Sequence, residues 1–157
     1  MLRTSTVYAP FTATKGETFV WYSPSSRLHL GVAYLWQQGA FRALGNYALN
    51  RETARVPLLR VGVGMQGIST GNPGYFVTAE KNFNSINAYV GIGLRSNEAH
   101  GHGLWGIKKT WNSRYTLGIQ DDGHERHPFF TVGLGAQSVG VYLIGGKRPA
   151  LMWSWGR

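Results

Sequence analysis

A strict two-residue alternation is the feature of this sequence that most constrains its fold. In residues 86–96, "INAYVGIGLRS", apolar side chains fall at every second position, with mostly small or polar residues between them. Successive side chains of a β-strand point to opposite faces, so this segment predicts a strand with one apolar face. Helical periodicity is nearly absent elsewhere. Residues 40–55 approximate a helical stripe, but Gly45 and the strand-like neighbouring segments favour a strand there too.

Eleven segments show this alternation, and turn-forming residues separate them. The predicted strands are 17–23, 27–37, 40–49, 56–66, 74–83, 86–95, 103–111, 114–121, 127–137, 139–145 and 149–156. Near the N-terminus, either residues 4–12 add a twelfth strand or residues 1–16 form an extended arm. Short links between consecutive strands favour an all-β antiparallel meander of about 10–12 strands, closed into a barrel as a single domain over residues 1–157.

Carried through each strand, the alternation separates an apolar face from a face rich in glycine. The second face includes Gly62, Gly91 and Gly118, together with Thr, Gln and a few Arg. Glycine in a strand usually marks a place where the backbone needs room, as on the crowded inside of a small barrel. The apolar face then contacts either lipid or a protein core. Lys81 and Lys109 fall on it, and a charge costs ~2–4 kcal/mol at the midplane of a bilayer.

Large aromatic side chains lie mainly near the ends of the apolar rows, as in the interfacial belts of membrane barrels. The predicted interfacial aromatics are Tyr34, Trp36, Tyr75, Trp105, Trp111, Trp153 and Trp155. After residue 56, long and tight links alternate, which would place the long links 66–74, 96–103 and 121–127 at one end. Aromatic residues are also common in the cores of soluble β proteins, so that alternative stays open.

The chain is strongly basic, with 16 Lys and Arg against 7 Asp and Glu and a formal net charge of +9. This balance favours an anionic partner, such as lipid or acidic polysaccharide, and less strongly nucleic acid, because no long basic run occurs. The predicted interior basic residues are Arg60, Arg95, Lys108 and Arg114. Facing Glu80, they would make the interior of a barrel net basic and bias it toward anions or acidic sugars.

Four of the five histidines lie in two loops that the link pattern places at the same end. They are the predicted metal ligands: His100, His102, His124 and His127. Carboxylates occur nearby, and a His-x-His pair can supply two donors to Zn, Cu or Ni. A loop-bound divalent metal is therefore the one cofactor that the sequence suggests, although polar loops also contain histidine without binding metal.

Catalytic machinery is not visible in the sequence. It has no Cys, no G-x-S-x-G and no Walker A motif, and glycine-rich pieces such as "VGVGMQG" are not followed by a helix. The chain is therefore predicted not to be an enzyme. Residues 1–17 lack the apolar region and cleavage site of a signal peptide, and nowhere do 18 apolar residues run together.

The stretches "VPLLRVGVGMQG", "GYFVTAEKNFNSINAYVGIGLRS", "GLWGIKKTW", "YTLGIQDDG" and "FFTVGLGAQSVGVYLIGG" together resemble the repeated hairpins of bacterial outer-membrane β-barrel proteins. They are most similar to the YjbH-type barrels associated with exopolysaccharide production. The likeness covers roughly residues 56–146 and rests on the spacing of the hairpin segments and on short patterns such as Val-Gly-Val-Gly and Gly-Ile-Gly. It implies a membrane barrel in the outer membrane or at the cell surface.

Together these patterns predict a non-enzymatic outer-membrane-type β-barrel with a structural, pore or surface-attachment role. Its partners would be the lipid bilayer or copies of itself. The alternative is a soluble, cytoplasmic all-β module that self-assembles through open strand edges or binds an anionic polymer, polysaccharide or nucleic acid. A lipocalin-like carrier is a third alternative, and it would need an apolar interior and a polar outside.

Overall fold

Twelve antiparallel strands form one closed barrel in the computed structural model, which describes residues 1–65 and 73–156. The strands are β1 (Leu2–Tyr8), β2 (Gly16–Tyr22), β3 (Leu28–Leu35), β4 (Ala40–Ala48), β5 (Leu58–Met65), β6 (Pro73–Phe83), β7 (Ile86–Arg95), β8 (His102–Trp111), β9 (Tyr115–Asp121), β10 (Arg126–Leu134), β11 (Gln137–Ile144) and β12 (Arg148–Gly156). Each strand pairs with its neighbours in the chain, and β1 pairs with β12 to close the wall. The predicted all-β antiparallel barrel is confirmed, and each of the eleven predicted strands has a counterpart within three residues at either end.

The N-terminal residues belong to the wall and do not form an arm. In β1, Ser5 pairs with Ser154 of β12 on one side and with Phe19 of β2 on the other. Without this strand, β2 and β12 would each expose a row of unpaired backbone groups. Residues 1–16 therefore contain the twelfth strand, and the extended-arm alternative is wrong.

The two ends of the barrel differ, and we name them by the links that they carry. The terminal end holds both chain termini and the links 23–27, 49–57, 84–85, 112–114 and 135–136. The distal end holds the links 9–15, 36–39, 96–101, 122–125 and 145–147. After residue 56 the tight links lie at the terminal end, as predicted; of the predicted long links, residues 66–72 lie outside the described residues. Two terminal-end hairpins turn through positive φ at Asn84 (56°) and Gly135 (67°), a geometry suited to two-residue hairpins.

The apolar face of the wall points outward. Val90, Ile92 and Tyr75 are 63%, 64% and 65% exposed, and apolar side chains of similar exposure occur all round the barrel. We call this outward-facing set the apolar exterior. The inward positions carry mainly glycine, polar side chains and aromatic rings. The barrel is therefore inside-out relative to a soluble barrel, whose apolar side chains face its centre.

Inward aromatic rings pack directly on glycines of the neighbouring strand. Four such pairs stand opposite each other in the ladder: Trp21 with Gly31, Phe76 with Gly62, Tyr89 with Gly106, and Phe129 with Gly118. A Cβ at Gly62, Gly106 or Gly118 would come within 2.3–2.5 Å of the facing ring. The interior glycines thus leave the space that the rings occupy, which explains their abundance on the inward face.

The fully buried side chains concentrate near the distal end. The largest of them are Leu35, Ile144, His127, Glu17 and Thr14, all at or beside distal strand ends or links. A small apolar cluster of Ala9, Ile144 and Ala150 lies in the same region. Large buried side chains therefore concentrate in the distal interior, and a cavity of about 240 Å³ lined by Val7, Glu17, Phe19 and Tyr142 remains beside them.

The glycine contacts give a stability test. We expect Gly91→Ala to destabilise the barrel by about 1–3 kcal/mol, because its Cβ would lie 2.2 Å from the backbone oxygen of Val77. Gly103→Ala on the adjacent strand is the matched control, since a Cβ there meets nothing within 4 Å. Denaturant unfolding followed by tryptophan fluorescence measures both. Equal midpoints for the two variants would contradict this account of the interior packing.

Candidate functional site

The apolar exterior has a mainly aliphatic middle, which also contains the exposed ring of Phe130, and aromatic ends. Aliphatic side chains occupy mid-strand positions, for example Val20, Val32, Val77, Val90, Ile107 and Val141. Exposed rings lie near the terminal end at Tyr22, Tyr47, Phe83, Trp111, Tyr115 and Trp153, and near the distal end at Tyr8, Tyr34, Trp36, Phe41 and Tyr75. Of the predicted interfacial aromatics, Tyr34, Trp36, Tyr75, Trp111 and Trp153 are exposed, and Trp105 and Trp155 are half-buried.

Lys81 and Lys109, the two lysines predicted on the apolar face, lie near the terminal rim. Each is two residues from the terminal end of its strand. Lys81 pairs with Glu52 at 3.5 Å and hydrogen-bonds to the carbonyl of Thr53 in the 49–57 link. Lys109 Nζ is 5.5 Å from the centroid of the Trp111 ring. Both lysine charges therefore lie near the terminal rim and away from the middle of the exterior.

A polar cavity occupies the interior toward the terminal end. It measures about 420 Å³, and Arg3, Glu80, Asn87, Tyr89, Lys108 and Gln120 are among its lining residues. A second cavity of about 350 Å³ shares Arg3 and reaches Met1, Ser23 and Arg60 at the terminal rim. Both cavities are lined by Arg3 and by other residues near the terminal ends of their strands, and we call them together the terminal vestibule. Its walls offer hydroxyl, amide and cationic groups.

Three of the four predicted interior basic residues face inward. Arg60 donates to Asn46 Oδ1 at 2.7 Å, Lys108 lines the vestibule, and Arg95 is buried near the distal end. Arg114 differs from the prediction because the turn 112–114 places it outside the wall. Its guanidinium carbon lies 5.4 Å from the centroid of the outward-facing Tyr115 ring.

Positive charge is distributed unequally between the two ends. Nine Lys and Arg lie in the terminal half, against the acids Glu52 and Glu80: Arg3, Arg27, Arg51, Arg55, Arg60, Lys81, Lys108, Lys109 and Arg114. The distal half carries six basic residues against five acids, and most of these acids form ion pairs there. Nearly all of the net positive charge of the described residues therefore lies at the terminal end.

A cluster of histidine and carboxylate side chains sits on the distal rim. Glu98, in the link 96–101, contacts His102 at the start of β8, with Oε2 3.0 Å from Nδ1. Its other oxygen contacts Nε2 of His124 in the link 122–125. The two imidazole rings lie 4.5 Å apart between centroids. We call Glu98, His102 and His124 the rim cluster.

A buried ion network supports the rim cluster from below. Arg95 lies 3.8 Å from Glu98 Oε1 and 3.4 Å from Asp122 Oδ2. Asp122 Oδ2 is also 3.1 Å from Nε2 of His127, whose side chain is 0% exposed. Burial opposes the ionisation of Asp122, but hydrogen bonds from His127 and from the backbone N–H groups of Glu125 and His124 outweigh it and lower its pKa to about 2. The carboxylate therefore stays charged.

The rim cluster differs in part from the predicted metal ligands. His102 and His124 come together as predicted, whereas His127 is held by Asp122 below the rim and His100 is exposed and outside the cluster. Of the carboxylates that the sequence places near these histidines, Glu98 is the one that joins His102 and His124 in the rim cluster. A scan against protein-family models and a search of curated proteins both find no match for this chain. The site is therefore interpreted from its own geometry.

The lowered pKa of Asp122 generates a prediction about acid stability. Because its folded pKa of about 2 lies below the ordinary value of 3.8, its contribution to stability is present above about pH 4 and is lost as the pH falls through 2. We expect Asp122→Asn to flatten the pH dependence of the unfolding free energy between pH 2 and 4. One group can contribute at most about 1.4 kcal/mol per pH unit to that slope.

The matched control is Asp121→Asn, because the side-chain ion pair of Asp121 is with the exposed Arg126. Urea midpoints measured from pH 2 to 6 compare the two variants with the parent protein. A slope that Asp122→Asn leaves unchanged would show that the carboxylate is not stabilised in the folded state.

Proposed function

We propose that this chain is a non-enzymatic, outer-membrane-type β-barrel whose apolar exterior contacts lipid. One observation carries the proposal: the described strands place their apolar side chains outside and their polar side chains inside. Hydrogen bonds within a closed wall satisfy the backbone, which is the condition for strands to cross a hydrocarbon layer. Within the described residues there is no helix that could span a membrane.

The extent of the apolar exterior supports a contact with lipid over a contact with water. Soluble monomers rarely expose a contiguous apolar patch larger than a few hundred Å². Here exposed Val, Leu, Ile and aromatic side chains occur on all twelve strands. Fully burying one exposed side chain of this kind stabilises by about 1.5–3 kcal/mol, and although these side chains are only partly exposed, their number makes the summed driving force for insertion large. The aromatic ends and rim lysines fit the two interfaces of a bilayer.

The two soluble alternatives fit the barrel less well. Closure leaves none of the twelve described strands with a free edge, so assembly by strand addition has no template. Copies of the chain would instead have to cover the exterior on every side. A lipocalin-like carrier requires an apolar interior, whereas the terminal vestibule combines the charged groups of Arg3, Lys108 and Glu80 with apolar side chains such as Phe129 and Met152.

For its role, we propose binding of an acidic polysaccharide at the terminal end, which carries the tight turns and would face the periplasm in an outer-membrane barrel. The terminal vestibule supplies cations from Arg3, Arg60 and Lys108 together with hydroxyl and amide groups, which suits carboxylated sugars. The surrounding rim adds Arg27, Arg51, Arg55 and Arg114. The buried side chains of the distal interior, Leu35, Ile144 and His127 among them, favour attachment over an open pore.

A pair of arginine substitutions tests the lipid contact. Val90→Arg places a charge at mid-strand on the exterior, and Phe83→Arg places one at the terminal rim. In a bilayer we expect Val90→Arg to destabilise folding by about 2–4 kcal/mol and Phe83→Arg by about 0–1 kcal/mol. Refolding of each variant into phosphatidylcholine vesicles, titrated with urea and read as the heat-modifiable gel band, measures the difference.

The same two variants define the opposite outcome. If the exterior faced water, both substitutions would change stability by less than about 0.5 kcal/mol. A parent protein that is monodisperse in plain buffer and ignores vesicles would overturn the proposal of a lipid contact.

Polysaccharide attachment is tested with polygalacturonate as the probe and neutral dextran as its control. We expect binding that weakens as salt rises, because the attraction is between charges. The double substitution Arg3→Gln with Lys108→Gln should weaken it several-fold at low salt, whereas Lys147→Gln at the distal end should not. Binding unaffected by the double substitution, or equal binding of single-stranded DNA, would contradict a polysaccharide-specific vestibule.

A further inference from the structure

We propose that the rim cluster, Glu98, His102 and His124, binds a divalent transition-metal ion of the Zn²⁺ type. One donor atom from each of these three side chains lies within 4.8 Å of the other two. The three residues come from neighbouring elements: the link after β7, the first residue of β8 and the link after β9. The site does not depend on what surrounds the apolar exterior, because it lies on the distal rim.

The hydrogen bonds of His124 indicate that its second nitrogen needs a cation. Its Nδ1 lies 2.8 Å from the carbonyl oxygen of Gly123, which only accepts, so Nδ1 carries the proton. Its Nε2 then faces a carboxylate oxygen of Glu98, which is also an acceptor. A second proton on the ring satisfies this contact, and a metal ion bound by both side chains would take the place of that proton. A backbone carbonyl that fixes the tautomer in this way is the usual partner of a metal-bound histidine.

Unsatisfied polar atoms converge on the same place. Within the described residues, two buried side-chain nitrogens have neither a hydrogen bond nor an ion-pair contact, and both belong to the rim cluster or to the network beneath it: His102 Nε2 and Arg95 Nε. Glu98 Oε2 faces His102 Nδ1, so these two atoms are both directed into the cluster. Buried polar groups elsewhere in proteins are nearly always paired, and an ion is one of the explanations for such exceptions.

The local charge balance permits a dication. The Arg95 guanidinium lies 3.8 Å from Glu98 and would oppose metal binding if it were unpaired. Asp122 lies 3.4 Å from the same guanidinium and compensates its charge. With neutral histidines, Arg95, Glu98 and Asp122 together carry a net charge of −1. A bound divalent ion would change this net charge to +1.

The donor set selects the class of metal. Two imidazoles and one carboxylate suit Zn²⁺, Cu²⁺ or Ni²⁺, whereas Mg²⁺ and Ca²⁺ prefer sites made of oxygen donors. Three protein ligands leave at least one coordination position for water. His124 is partly exposed at the rim, which gives the ion access from solvent. A bound ion would join the links 96–101 and 122–125 across β8 and β9.

The test is a Zn²⁺ titration of the full chain, purified without a histidine tag and kept in the medium where it is monodisperse. Competition with a chromophoric chelator measures the affinity, and Co²⁺ substitution reports the coordination through its visible spectrum. We expect one equivalent to bind, and we expect Glu98→Gln and His124→Ala each to weaken binding at least about tenfold. A hundredfold excess of Mg²⁺ should not displace Zn²⁺.

His100→Ala is the matched control, since it removes a histidine from the same link without touching the rim cluster. It should bind Zn²⁺ like the parent protein. Should His102→Ala fail to fold because its side chain is half-buried, the exposed His124→Ala still decides the question. The absence of saturable binding at one equivalent, or binding that survives both Glu98→Gln and His124→Ala, would overturn the proposal.

Discussion

The pairing of β1 with β12 is the interaction on which the rest of the structure depends. Twelve strands joined in sequence have two free edges, and their unpaired backbone groups would need water or another chain. The β1–β12 ladder removes both edges and satisfies those groups within the wall. Only then can the wall carry apolar side chains on its outer surface all round, because no part of it has to stay hydrated. Closure also creates an inside, which the polar residues occupy.

Closure at this size imposes crowding on the inside. Inward side chains of twelve short strands compete for one narrow volume, and four of the large inward rings have a glycine opposite them in the ladder. Tyr89 over Gly106 and Phe129 over Gly118 are examples, and Trp21 over Gly31 repeats the arrangement near the terminal end. At the distal end the volume is filled by buried Leu35 and Ile144 and by the Arg95 network. The asymmetry between the two ends follows from where the rings and the buried residues are placed along the strands.

Period-two alternation predicted the strands well, because it is a local property that neither register nor closure alters. Alternation alone could not predict whether the apolar face points into the barrel or out of it, because the order of Val90 and Gly91 in the sequence is the same in both cases. Residues 1–8 were ambiguous because Thr and Ser alternate there with few apolar residues, and their place in the wall depends on distant β12. Arg114 was misplaced since a turn breaks the alternation one residue before β9 begins.

The rim cluster shows the same limit at the level of a site. Histidines in two loops at one end could be predicted, but the choice among them depends on the three-dimensional positions of the links. His102 and His124 meet over Glu98, while His127, three residues further on, points to Asp122 inside the wall.

The unequal charge of the two ends has a consequence for the whole molecule: the barrel is an electric dipole along its own axis. Near a negatively charged surface such a dipole experiences a torque that turns the terminal end toward it. The orientation of approach is thus set before contact, within the ~10 Å over which charges act at 0.1 M salt.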